Sequence, residues 1–172
     1  MPALSLTTRT PRDIDLSGEY GYVSVAGFKS LVEQDSFAWH LEVHGNYYGT
    51  QKKTIEQARV LDITNTHLFN ITFETVMVLR SFLARIGPHA LARHLPVYVL
   101  SPPPEELRRR IALRGGLTDV EIDRRVTDCL NWDEEARRLA SLGRIPFRFV
   151  HNDSSDGDIS KPVAELKRLF GG

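Results

Sequence analysis

Arg9 and Arg12 stand three residues apart, with Ser5 just before them and Tyr20 and Tyr48 further along. Forked guanidinium donors and hydroxyls are what a phosphate dianion accepts from, and these residues supply both if the chain folds back on itself. A second group of cations, Arg108, Arg109, Arg110 and Arg114, has helical spacing, so it is either a solvated basic face or a set of charges turned on an anion. His40, Glu42 and His44 alternate as ligands on one strand face would, but strand histidines are usually solvated or satisfied. His67, His89, His94 and His151 show no ligand spacing, and no metal site is read. The lone Cys129 lies in an amphipathic pattern beside Trp132 and reads as core, and no nucleophile–base pair is suggested. Transfer of phosphate from ATP calls for a Gly-rich backbone cradle ending in Gly-Lys-Ser/Thr. That string does not occur in the 172 residues; Gly27-Phe28-Lys29-Ser30 has the wrong spacing and falls in an amphipathic helix.

These side chains need a scaffold, and the composition permits one. At 172 residues and 41% hydrophobic content the chain can bury a core as one domain. Its 22 basic and 22 acidic residues cancel, so no overall field draws it to nucleic acid or to an anionic membrane. The N-terminus lacks the apolar core of a signal peptide, and no apolar run approaches the ~20 residues of a membrane span. One cysteine allows no intrachain disulfide, which fits a reducing compartment; the expected location is cytoplasmic.

The local signals run as follows. Residues 1–24 read as short extended segments broken by Pro11 and Gly18, and Ser24 caps a helix whose Phe28, Leu31 and Val32 share a face. Residues 37–50 read as a hairpin turning at Gly45-Asn46, and residues 54–64 as a helix. Residues 68–73 are rich in strand formers and predict a buried strand, with a helix from about Glu74 to Arg85 stopped by Gly87-Pro88. Val97–Leu100 predicts a strand leading into a helix that opens on Pro104, Glu105 and Glu106. Thr118 and Glu121 form a capping box for a helix that Gly143 ends, residues 147–150 a last strand, and Ser160 the start of a last helix. Strands alternating with helices predict a parallel sheet.

Ser5-Leu6-Thr7-Thr8-Arg9-Thr10-Pro11-Arg12, then Gly18-Glu19-Tyr20-Gly21-Tyr22-Val23-Ser24, then Gly45-Asn46-Tyr47-Tyr48-Gly49-Thr50 together resemble the monophosphate-binding region of guanylate kinases. Weaker echoes follow in register at Ser101–Leu107, Arg110, Arg114-Gly115, Ile122–Arg125 and Val150–Asp153. The resemblance implies an α/β fold: a P-loop kinase-like parallel sheet core without its central P-loop strand, a small β-rich monophosphate-binding subdomain and a helical lid. It implies one domain over residues 1–172, with about 8–66 binding the acceptor, about 67–102 and 144–172 as core, and about 103–143 as lid helices.

By the same resemblance, Ser5, Arg9, Arg12, Tyr20 and Tyr48 hold the monophosphate of GMP, Thr50 and Thr72 stand in the acceptor site, and Arg110, Arg114 and Arg125 match catalytic lid arginines. The guanine-reading positions are altered. Trp39 stands where the family has a glutamate, and a tryptophan only donates. The family's Leu-Asp-Ile-Asp strand falls on Phe69-Asn70-Ile71-Thr72, or in a competing register on Leu61-Asp62-Ile63-Thr64. In the family the P-loop precedes the Thr7-Thr8-Arg9 segment, and this chain begins too late for it. The expectation is therefore a guanylate-kinase-like domain that binds GMP or another phosphorylated ligand and is inactive as given, a pseudoenzyme. It has no cofactor of its own, and ATP and Mg enter only if a P-loop segment is supplied. The competing expectations are a module binding a phosphoprotein, the acceptor part of an active kinase with its P-loop upstream of Met1, a second chain filling the missing strand, and a ribose-bisphosphate type kinase suggested by His44-Gly45 and Asn70–Thr72. No nucleic-acid or membrane partner is expected.

Overall fold

The computed structural model describes residues 3–13, 15, 17–61, 66–152 and 159–170, with backbone alone for 58–61. The register on Asp62–Thr64, the far end of the helix read over 54–64, Asp153 and the polar loop after Asn152 lie outside the described residues. The chain forms two compact units, Met1–His94 and Leu95–Gly172.

In the first unit β1 (Ser5–Thr7) is an inner strand, parallel to β2 (Tyr20–Tyr22) and antiparallel to β4 (Asn46–Gln51), which in turn pairs antiparallel with β3 (Phe37–Val43). The β3–β4 hairpin turns through His44 and Gly45, at φ 50° and 75°. Two positive φ angles in a row make the type I′ turn whose twist matches the strands, one residue earlier than the sequence suggests. Gly49 cannot be replaced without movement, because a Cβ there would come within 2.8 Å of the Phe37 ring and 2.9 Å of the Trp39 carbonyl oxygen.

Two helices cover the two faces. Ser24 caps α1 (Val25–Glu33) by accepting from the Gly27 N–H at 3.1 Å, and Phe28, fully buried, stacks on Phe37 and Tyr47. On the other face α3 (Phe73–Ile86) lays Leu79, Phe82 and Leu83 against Trp39, with Ile55 from α2 (Lys52–Leu61).

The strand expected over 68–73 is not there. Leu68 makes a single bridge, its carbonyl accepting from the Ala3 N–H at 2.9 Å, and Phe73 already opens α3. Thr72 sits in extended geometry at the N-cap, without a side-chain capping bond, and Glu74 in the first turn suits the positive end of the helix dipole, while the apolar run is too short to choose between strand and helix. Pro88, read only as a stop, also begins a one-turn helix α4 (Pro88–Ala92).

His94 follows α4, partly buried, with Nδ1 3.4 Å from the Arg80 guanidinium. Burial, then the Arg80 charge, pushes its pKa down from 6.5 to about 4. The folded state therefore binds fewer protons than the unfolded chain between those values. Stability is full above pH 6.5 and declines as pH falls to about 4. Allowing for solvent screening, the decline is on the order of 1 to 2 kcal/mol. Urea midpoints measured from pH 7 to 4.5 are expected to fall less in His94→Gln than in the unmodified chain; parallel profiles would refute this assignment.

The second unit carries β5 (Val97–Leu100) and β6 (Arg148–His151), paired in parallel, with α5 (Pro104–Leu113), α6 (Asp119–Ser141) and α7 (Ser160–Leu169). The Thr118–Glu121 capping box is formed, and Gly143 follows α6 at φ 65°. Asp133 on α6 accepts from the Tyr98 hydroxyl and the Ser101 N–H, both at 2.9 Å, and so ties the long helix to the end of β5. The architecture is mixed α/β with parallel pairing in both sheets.

Candidate phosphate-binding site

Strand side chains alternate, and residues opposite one another share a face. Ser5 faces Tyr20, Thr7 faces both Tyr22 and Tyr48, and Thr50 faces Trp39, so all of these project from one side of the sheet. Ser5 Oγ and Thr50 Oγ1 are hydrogen-bonded at 2.8 Å and both are buried. The Tyr20 and Tyr48 rings meet edge to face at 6.5 Å. The Arg9 guanidinium lies 4.7 Å over the Tyr20 ring and 5.7 Å from that of Tyr22. The structure thus gathers Ser5, Arg9, Tyr20, Tyr48 and Thr50 on one side of the sheet, with the Ser5–Thr50 pair buried beneath.

Asp15, which the sequence reading passed over, sits at the centre of this group. Its carboxylate accepts from Arg9 Nη1 at 2.8 Å and Nη2 at 2.6 Å, from the Arg12 N–H at 2.8 Å and from the Tyr22 hydroxyl. The pair is well covered, with side chains 8% and 14% exposed. The hydrogen bond from Arg9, then that from Tyr22, holds the Asp15 carboxyl well below the usual range, and the same bond raises Arg9. Tyr22 is pushed up chiefly by its bond to Asp15, and Tyr20 chiefly by burial. The spacing Arg9-x-x-Arg12-x-x-Asp15 was the signal available, but it acquires meaning only from the loop that brings the carboxylate back to Arg9 and to the Arg12 N–H.

The remaining expected residues fall elsewhere. The Arg12 side chain is exposed, and Arg12 is tied to the group through its backbone N–H. Thr72 is the N-cap of α3, 3.5 Å from the Thr75 hydroxyl. Trp39 is 2% exposed within the core cluster, and its buried indole N–H has no hydrogen-bond partner among the described residues. A cavity of about 600 Å³ opens along β3, lined by Asp35, Trp39, Lys52, Phe82 and Arg85 among others, and includes none of Ser5, Arg9, Tyr20 or Tyr48.

In the second unit, Arg110 donates to Glu106 at 2.7 Å and to Asn152 at 3.0 Å, Arg114 is exposed at the C-cap of α5, and Arg125 on α6 has a buried Nε without a partner among the described residues. Arg109 and then Arg110 bring the Glu106 pKa down to about 2. Among the described residues no group of three or more His, Cys, Asp or Glu could hold a metal ion, and no helix is long and apolar enough to cross a membrane.

The guanylate kinase family model matches residues 2–135. The guanylate kinase of Geobacter sulfurreducens is 32% identical over 169 residues, covering 98% of this chain and 73% of that protein. That of Nitratidesulfovibrio vulgaris is 35% identical over 170 residues, covering 98% and 72%, and that of Escherichia coli K12 is 33% identical over 130 residues, covering 74% and 58%. In three dimensions the chain is similar to the crystal structure of guanylate kinase from Anaplasma phagocytophilum, with a TM-score of 0.65 at 20% identity over 99% of this chain and 74% of that one; this likeness bears on fold alone. With a family match that spans most of the chain and relatives of this identity, the chain belongs to the guanylate kinase family.

Proposed function

We propose that these residues bind a nucleoside monophosphate, or another small phosphorylated ligand, on the sheet face that bears Arg9, and do not by themselves transfer phosphate from ATP. The observation that carries the reading is the convergence of a forked guanidinium, two tyrosines and a buried serine–threonine pair on one side of the sheet. In this reading Ser5, Arg9, Arg12, Tyr20 and Tyr48 hold the phosphate end, Thr50 and Thr72 stand in the acceptor site, and Arg110, Arg114 and Arg125 are the lid cations. ATP and Mg²⁺ do not fit the residues at hand, because no glycine-rich cradle ending in lysine is among them and no step can be drawn through them.

Base recognition is what this member has given up. Trp39 is buried where a carboxylate would have accepted from guanine, and its indole offers only a donor. GMP and AMP are therefore expected to bind within about tenfold of each other, a difference under about 1.4 kcal/mol. Calorimetric titration of both nucleotides against the chain tests this, and a GMP preference well beyond tenfold would mean that Thr50 and backbone groups read guanine unaided. In the same titrations Arg12→Ala should weaken GMP at least tenfold, since a charge-assisted hydrogen bond contributes roughly 1.5 to 3 kcal/mol. An unchanged affinity would remove Arg12 from the site.

A coupled assay with ATP, Mg²⁺ and GMP should stay at background. Turnover within tenfold of about 10 per second, an ordinary enzyme's rate, would overturn the claim of inactivity.

A further inference from the structure

We infer that Asp15, held by the Tyr22 hydroxyl, is a positioning residue that determines which edge of Arg9 meets the phosphate. The inference rests on the phosphate site proposed above. A guanidinium carries five N–H donors in one plane, grouped as an end-on fork from the two Nη atoms and a side-on fork from Nε and Nη2. Asp15 takes the end-on fork with both oxygens, at 2.8 and 2.6 Å. The second Nη1 hydrogen goes to the Thr10 carbonyl at 2.9 Å. Among the described residues no hydrogen bond takes the Nε–H or the second Nη2 hydrogen; the two are adjacent and nearly parallel, spaced for two oxygens of one phosphate.

The arrangement is also locked against rotation. The rings of Tyr20 and Tyr22 lie against the guanidinium at 4.7 and 5.7 Å. Asp15 is itself fixed by the Arg12 N–H, by Tyr22 and by its own N–H, which donates to the Arg12 carbonyl at 3.0 Å. An entering phosphate thus joins Arg9 at its second edge and leaves the aspartate where it is. The opposed arrangement, in which phosphate displaces the carboxylate from the end-on fork, would set an anion already lodged in the site against every ligand.

Side-chain NMR of the whole chain distinguishes the two, with GMP and inorganic phosphate as probes. Saturating either probe should move the Arg9 Nε–H resonance and leave the Asp15 carboxyl carbon unshifted. Asp15→Asn should merge the Arg9 Nη signals as rotation is freed, and weaken GMP at least tenfold while inorganic phosphate weakens in step. Tyr22→Phe, which leaves the ring against Arg9 and removes only the hydroxyl, should weaken both probes by a smaller factor in the same direction, and serves if the first variant does not fold. Release of the Asp15 carboxyl on ligand addition, or affinity equal or higher in either variant, would overturn this role while leaving the phosphate site standing. Failure of the unmodified chain to bind either probe would overturn both.

Discussion

Trp39→Ala is expected to destabilise the first unit by about 3 to 5 kcal/mol, the cost of emptying a large aromatic side chain from a packed core. The indole is 2% exposed and is packed with Leu79, Phe82 and Leu83 of α3 and Ile55 of α2, so these neighbours cannot close the space without moving the helices. Trp39→Phe is the informative companion. It keeps most of the apolar contact and removes a buried donor that has no partner among the described residues, whose burial costs about 1 to 3 kcal/mol, so the net change should be small. Urea unfolding at pH 7 measures both. A loss below about 1 kcal/mol for the alanine variant would mean that Trp39 is not a core residue, and would return it to the ligand pocket as a surface that stacks on a base. The same burial disfavours the simplest gain-of-function change, because a glutamate at this position would replace the indole inside an apolar cluster.

Arg9→Lys should lower the affinity for GMP and for inorganic phosphate by about 100-fold, although the charge is conserved. Lysine offers a point charge in place of a fork, so it loses two charge-assisted bonds to the ligand, each contributing roughly 1.5 to 3 kcal/mol, and regains one at best. It also loses the planar face that lies over Tyr20. Calorimetry at constant ionic strength checks this, with Lys53→Gln, an exposed site on α2, expected to bind within about twofold of the unmodified chain. Equal affinity for Arg9→Lys would show that the site supplies positive charge without geometry, and the proposed fork would be withdrawn.

Much of the local structure was legible in the residues. The Ser24 cap, the Thr118–Glu121 capping box and the passage from β5 through prolines into α5 follow from chemistry within a few positions, where short-range hydrogen bonds outweigh anything distant. The family was legible for the same reason, since Ser5 to Arg12, Gly18 to Ser24 and Gly45 to Thr50 each carry contiguous residues whose order survives in one dimension. The stretch 68–73 was not, because an apolar run of that length suits strand or helix start equally, and its outcome turned on Thr72 and Glu74 at the start of α3.

The site shows the same division. The sequence by itself determined which donors are present: Ser5, Arg9, Arg12, Tyr20, Tyr48 and Thr50. Only the tertiary structure decided what each can do. Strand pairing set Ser5 against Thr50, 45 positions apart, and Arg110 found Asn152 42 positions away, so neither partner carries a sequence signal. Asp15 captured one edge of Arg9, and Trp39 passed from base-reading position to core, because burial and hydrogen-bond geometry depend on what packs alongside, and spacing along a chain holds no record of that.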